Sequence, residues 1–414
     1  MAAIEDRLEA AGLPPLPRTA WLELDLDAVR ANVASLRRLA GPGVPIHPVV
    51  KADAYGHGSV PIARALQDAN VEGLCVATID EAAELREAGI TLPLLVLYPV
   101  PGTWAAVAAR ERVALSVGDA TLLERLLAGI GDDVADGLGG AAVPLELQLE
   151  VETGLGRGGV GVDDVARVVA GLARRSEVRL TGLWTHLQAS EDVDRTAAQL
   201  ARFERAIQRA RDSGLELPPR HVAASGGLLA DVAAYDGVRP GLTVYGLIPD
   251  EHEPGTLPAD LVASFRPVLS LHARPVRVAD LPAGWGVSYG PTFVTARPSR
   301  IATLPLGYGD GWSRALSNRA DALVRGMRVP IVGNVAMDAI MVDVTDVPGP
   351  AVGPDDTFTL IGSQGNERIE VADVARTRTT NSWEVVTGMA RRVPRVYHSA
   401  AGPVAVRFLA ERSA

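Results

Sequence analysis

An α/β chain with a closed, parallel (β/α)8 barrel of the TIM type, followed by a mostly β C-terminal domain, is the architecture predicted here. Three features lead to it. From about residue 45 to 246, short apolar runs alternate with longer amphipathic stretches. An acidic segment rich in Pro and Gly, DEHEPGTLPAD at 250–260, then interrupts the pattern and reads as a linker. Beyond it, strand-like runs follow closely, with turns rather than helices between them. At 414 residues the chain is too long for one ordinary core, so two domains are expected. Their bounds are 21–255 for the barrel and 256–414 for the β domain, which the segment 1–25 is free to join.

Taken in order, WLELDLDAVRANVASLRRL reads as a strand leading into a helix, the strand being a candidate partner for the β domain. The barrel strands are IHPVVK (46–51), GLCVA (73–77), PLLVLY (93–98), RVALSV (112–117), LELQLEV (145–151), RLTGLWTH (179–186), RHVAA (220–224) and GVRPGLTVYG (237–246). Between most of them lie helical patterns: Asp80 to Ala88, Asp119 to Ala128, Asp163 to Arg174 and Arg195 to Asp212. Several open with Asp, whose carboxylate caps the free N–H groups of a first turn. Eight strands separated by helices close into a barrel, with an open doubly wound sheet as the alternative. The second domain draws its strands from VLSLHARPVRV, RIATLPLG, MRVPIVG, AIMVDV and TFTLIG.

Composition excludes several classes. A net charge of −10 argues against nucleic acid or an anionic membrane surface as partner. The first twenty residues carry acids and no apolar stretch, so no secretory signal is expected. No apolar run is long enough to span a bilayer, and a cytoplasmic enzyme is expected. The single cysteine, Cys75 in GLCVA, rules out an intrachain disulfide framework and reads as a small core residue. Of the 40 basic residues only Lys51 is lysine. A coding bias towards arginine explains the other cations but not this survivor. Arginine cannot lose its proton in a protein and cannot act as an amine nucleophile.

Lys51 closes the first barrel strand in VVKADAYGHG, at the end where such barrels carry their functional groups. Here the sequence resembles the alanine racemase family, fold type III pyridoxal-phosphate enzymes, over about Trp21 to Tyr397. The resemblance implies pyridoxal 5'-phosphate as cofactor, a small amino acid as substrate, and a homodimer with shared active sites that supplies D-alanine for peptidoglycan. It makes Lys51 the Schiff-base lysine and Tyr55 a residue near the cofactor phosphate.

The segment LEVETGLGRGGVG (149–161) has two readings. Gly154, Gly156 and Gly159 match the dinucleotide spacing G-x-G-x-x-G after a strand, which suggests a dehydrogenase. Against this, the preceding strand alternates Leu145, Leu147, Leu149 and Val151 with Glu146, Gln148, Glu150 and Glu152, and it lies fifth rather than first. The resemblance instead makes Arg157 the donor to the cofactor's phenolic oxygen, on the substrate side as well.

By the same resemblance His186, at the end of the sixth strand, belongs to the cofactor site. Ser225 and the glycines after it offer backbone N–H groups at a helix start, a seat for phosphate. Arg239 is implied to face the pyridine nitrogen, and the amides of Gly241 and Leu242 the phosphate. A permanently charged arginine leaves that nitrogen unprotonated, which makes a shallower electron sink and favours racemisation over transamination. In the β domain the resemblance assigns Tyr289 as the second acid–base residue, reaching the partner subunit's cofactor, with Tyr308, Met337 and Asp338 on the substrate side. Free Lys and Tyr titrate near ~10, so both need tuning downward, and His186 and Arg239 are candidate cationic neighbours for Tyr289.

Three positions depart from the family pattern. Glu150 stands where a carbamylated lysine is common and is expected to give its negative charge directly to Arg157. Ala224 replaces the Asn before the phosphate serine. Arg391 or Arg392 replaces a tyrosine before the closing RVPR motif. These changes leave open a racemase for another small amino acid such as serine. A decarboxylase of the same fold type is disfavoured because Cys75 lies in the barrel. A non-catalytic cofactor carrier would lack the second domain with Tyr289.

Overall fold

The structure, a computed structural model, describes residues 3–130, 143–252 and 255–409. Two compact units make it up: one of residues 30–54 and 59–265, the other of residues 1–29, 55–58 and 266–414.

In the first unit the strands Leu74–Val76, Leu94–Val96, Val113–Val117, Leu145–Glu152, Val178–Trp184 and Arg220–His221 pair successively, all parallel. The segment 46–50 closes the ring. It bridges to Cys75 on one side through Val49 and to Val238 on the other through Ile46, while Ala224 bridges to Arg239. The His47 N–H donates to the Val238 carbonyl and the Val50 N–H to the Cys75 carbonyl, each at 2.8 Å. Eight parallel segments thus form a closed barrel, and the open-sheet alternative is excluded. Along Leu145–Glu152, Leu145, Leu147, Leu149 and Val151 are buried while Glu146, Gln148, Glu150 and Glu152 are half-buried, as period-two alternation requires.

The helices follow the expected order with shifted ends. Asp119 caps Ala120–Ala128 by accepting from the Leu122 N–H at 2.8 Å. The helix expected at Asp80 begins at Ile79 and is capped by Thr78, which accepts from the Glu81 N–H. The helix expected at Arg195 begins at Val193, with Asp192 as its cap. One strand was expected too long: within 237–246, residues Leu242–Tyr245 form a 3-10 turn. Pro240 has no N–H for a ladder, and Gly241 takes φ −113°, ψ −88°, outside the strand region.

In the second unit ten strands run in one path of an eleven-stranded sheet. Ala20–Asp25 enters it between Leu269–Ala273, antiparallel, and Arg395–Ser399, parallel. Ile4, Leu8, Trp21 and Val396 form a small core where the N-terminal helix Ile4–Ala10 covers this sheet. Two short helices, Val371–Arg378 and Ser382–Thr387, follow the last of the strand-like runs picked out in the sequence. Residues 253–254 of the expected linker lie outside the described residues, and its last two residues begin the short helix Ala259–Ala263.

Candidate active site

Directly after the first barrel strand, Lys51 opens a turn of unusual hand. Ala52, Asp53, Ala54 and Tyr55 all have φ between 53° and 55°, in the left-handed region that costs an L-residue about 1–2 kcal/mol. Hydrogen bonds hold it there: Ala54 N–H to Val50 O at 2.9 Å, Ala52 N–H to Glu81 Oε1 at 2.7 Å and Ser59 N–H to Asp53 Oδ1 at 2.9 Å. Burial pushes the Lys51 amine below its ordinary value and the Arg157 guanidinium lowers it further, while Glu81 opposes both.

Arg157 is gripped from two sides. Glu150 Oε1 lies 3.6 Å from its Nη2, and the Tyr98 ring lies under its guanidinium at 5.6 Å. The expected contact between Glu150 and Arg157 is therefore present. Burial raises the Glu150 carboxyl, and the Arg157 and Arg239 charges oppose that rise. In the sequence Tyr98 stands out only as the last residue of the strand PLLVLY.

The glycine-rich loop around Arg157 is no dinucleotide fingerprint. Rather than leading straight into a helix, it returns so that Val160–Gly161 pairs parallel with Val151–Glu152. Gly159 (φ 115°) passes so close that a Cβ would stand 2.4 Å from the Glu152 nitrogen. The glycines serve a tight return, not the close approach of a pyrophosphate.

Arg239 is fully enclosed and tied down by carbonyls: Thr185 O at 2.8 Å, His221 O at 3.1 Å and Val222 O at 3.4 Å. It also donates to His221 Nδ1 and lies 4.7 Å above the Trp184 ring. His221 Nε2 then donates to Gln148 Oε1 at 2.8 Å. Burial and the Arg239 charge hold His221 well below its ordinary value, so it is neutral with its proton on Nε2. Arg239 is lowered by burial to about 10 and keeps its charge at neutral pH. Sequence reasoning missed His221, Gln148 and Trp184; the polar His221 in the otherwise apolar strand RHVAA was the available signal.

His186 follows the strand that ends at Trp184 and is pushed down to about 3 by burial and then by Arg239, Arg157 and Lys51. It is neutral, which corrects its expected part as a cationic neighbour. Around Ser225 several donors converge: its Oγ accepts from the Gly241 N–H at 2.9 Å, the Thr243 hydroxyl at 2.9 Å and the Thr243 N–H at 3.3 Å. Ser225 starts the helix Ser225–Leu229, whose N-cap, Ala224, supplies no side-chain bond where an Asn would. Leu242 begins the 3-10 turn beside it.

In the second unit Tyr308, Met337 and Asp338 are brought together. The Tyr308 N–H donates to Ala336 O at 3.0 Å and the Gly309 N–H to Met337 O at 2.9 Å. Gly307 makes this possible, since a Cβ there would stand 2.1 Å from the Ala336 oxygen. Arg392 bridges Asp338 at 2.6 Å and buried Asp310 at 2.8 Å, and Arg18 meets Asp310 at 2.6 Å. Arg392 is thus a structural clamp, and Arg391 is the exposed member of the pair. Tyr289 is 80% exposed, its carbonyl held by Asn334 Nδ2 at 2.8 Å. Tyr55 is buried, and its carbonyl accepts from His57 Nδ1 at 2.9 Å.

Family models described as alanine racemase N-terminal domain and alanine racemase C-terminal domain match residues 24–249 and 268–397. The chain belongs to the alanine racemase family. An alanine racemase of Symbiobacterium thermophilum is 42% identical over 92% of this chain and 97% of its own. Among solved structures, the alanine racemase of D-cycloserine-producing Streptomyces lavendulae is 35% identical, with a TM-score of 0.83 over 93% of this chain and 98% of its own. That of Bacillus anthracis with bound L-Ala-P is 32% identical, with a TM-score of 0.84 over 95% and 98%.

Proposed function

We propose that this chain interconverts L- and D-alanine with pyridoxal 5'-phosphate, Lys51 carrying the cofactor and the partner subunit's Tyr289 acting as the second base. The observation that carries this reading is Lys51 itself. The chain's one lysine stands at the mouth of the barrel with its amine tuned downward by burial and by Arg157. A lysine needs that tuning to attack a carbonyl and to exchange protons near neutral pH.

The donor set fits the cofactor. The cluster of hydroxyl and amide groups at Ser225, Gly241 and Thr243 suits a phosphate. Arg239 would face the ring nitrogen, and Arg157, steadied by Glu150 and Tyr98, the phenolic oxygen. When bound, the cofactor supplies an electron sink that acidifies the α-hydrogen of an attached amino acid. Arg239, still charged at neutral pH, keeps an atom set against it unprotonated. The neutral His221 and Gln148 hold that guanidinium in place. Lys51 takes or returns the α-proton from one face, and Tyr289 does so from the other.

Exposure of Trp285, Tyr289, Val294, Tyr308 and Met337 supports a homodimer in which this surface meets a second copy. No described helix is long and apolar enough to cross a membrane. We place the activity in the cytoplasm, supplying D-alanine for cell-wall peptidoglycan. The test is an absorbance spectrum of the purified protein followed by a chiral assay over a panel of small amino acids. A visible band from lysine-bound cofactor and fastest turnover with alanine are expected. A colourless protein that binds no pyridoxal phosphate would overturn the proposal, and faster turnover of serine would overturn its substrate.

A further inference from the structure

We propose that Glu81 is a positioning residue for Lys51: one carboxylate on the helix Ile79–Glu87 fixes the left-handed turn that aims the lysine. The inference rests on Lys51 being the cofactor-bearing lysine.

Glu81 uses both its oxygens. Oε2 accepts from the Ala77 N–H at 2.7 Å and the Thr78 N–H at 3.3 Å, which is its part in the capping box of the helix Ile79–Glu87. Oε1 accepts from the Ala52 N–H at 2.7 Å. The same carboxylate therefore ties the loop after the second strand to the residue directly after Lys51. A cap alone would need only the first oxygen.

Three residues on, the same helix makes a second attachment. Glu84 Oε2 accepts from the Ser59 hydroxyl at 2.8 Å. Positions i and i+3 share a helix face, so Glu81 and Glu84 meet the two ends of the segment 52–59 together. Between those ends lies the run of left-handed residues. A backbone held in a costly conformation persists only where its surroundings over-determine it. Here the helix supplies that constraint, and what it constrains is the direction in which Lys51 leaves the strand. Glu81 also acts on Lys51 electrostatically, since its negative charge favours the protonated amine.

Glu81→Gln tests both effects. The amide retains one acceptor oxygen and turns an NH2 towards one of the backbone donors, so one attachment is lost along with the charge. The measurements are kcat and KM for alanine at saturating cofactor, the pH midpoint of the visible band of the lysine-bound cofactor, and Tm. Expected are a kcat lower by about tenfold or more with KM within about twofold, and a band midpoint moved to lower pH. Thr78→Ala is the control: it removes the other half of the capping box and leaves the Glu81–Ala52 bond. It should lower Tm while leaving kcat and the band midpoint as they are. If Glu81→Gln fails to fold, Glu81→Asp is measured instead: it keeps the charge but cannot reach both loops, so kcat should fall by about tenfold while the band midpoint stays in place. A folded Glu81 variant with unchanged kcat and midpoint would overturn the inference, as would a Thr78→Ala variant reproducing both changes. A wild-type protein without the band would remove the proposed function itself, whereas the first two outcomes remove only the role of Glu81.

Discussion

Lys51 and Glu150 both owe their properties to burial beside Arg157, and the two respond to it in opposite senses: the amine is lowered and the carboxyl raised. Lys51→Arg keeps the charge and cannot form an imine, so the visible band and the activity should vanish together. A band surviving in that variant would mean that another amine holds the cofactor, and the sequence contains no other lysine. For Glu150, whose carboxylate already sits against Arg157, activity should be independent of dissolved carbon dioxide, because no carbamate is needed to supply the charge. Glu150→Gln should raise KM or the cofactor's dissociation constant by about tenfold, because Arg157 loses the carboxylate charge it is paired with at 3.6 Å. Unchanged kinetics would reduce Glu150 to a neutral barrel residue. Lys51 stood out by its chemistry, as the one lysine of the sequence, whereas Arg157 and Glu150 were picked out only through the family resemblance. Tyr98 and His221 were picked out by neither, because each acts through a neighbour brought in by a different strand. A single sequence shows no such pairing.

The order of the barrel strands followed from alternating apolar runs, but local backbone geometry did not. Nothing in KADAY, with two alanines and a tyrosine, announces a left-handed turn, since these residues favour the opposite hand. The constraint comes from Glu81 and Ser59, distant in sequence or beyond the turn. Ala52→Gly should therefore stabilise the fold by about 1 kcal/mol by removing the steric cost at φ 53°, read as a higher Tm. A lower Tm would show that the alanine is unstrained. In the other unit, Glu23 on the strand Ala20–Asp25 accepts from Arg7 Nη2 at 2.6 Å and Trp21 Nε1 at 3.0 Å, and pairs with His398 at 3.0 Å. These partners hold its carboxyl well below the usual range despite burial, which alone would raise it. A depressed carboxyl gives stability that is complete above its unfolded value near ~4.3 and is lost as pH falls further. Glu23→Gln should cost about 2 kcal/mol at pH 7, with the difference from wild type shrinking below about pH 4. Equal losses at pH 7 and pH 3, measured by denaturant unfolding, would show that the charge is not what matters.

The two compact units carry different halves of the proposed chemistry: Lys51 belongs to the barrel unit and Tyr289 to the unit built on the β sheet. The shared-site reading makes a prediction that neither unit can make separately. If each site joins Lys51 of one chain to the partner subunit's Tyr289, homodimers of Lys51→Ala and of Tyr289→Phe should both be nearly inactive, since every site lacks one base. A mixed dimer differs. One of its sites receives both lesions, and the other combines an intact lysine from one chain with an intact tyrosine from the other. Mixing the two inactive proteins under conditions that allow subunit exchange should restore activity to as much as about half that of wild type per mixed dimer, because one site of two is whole. The recovered activity should rise with the fraction of mixed dimers, which differently tagged chains allow to be counted. Tyr289→Phe suits this experiment because it removes only a hydroxyl from a side chain that is 80% exposed, leaving the fold of its unit intact. Mixed dimers that are verified, folded and still inactive would place both bases in one chain, and the exposed surface around Tyr289 would then need another explanation.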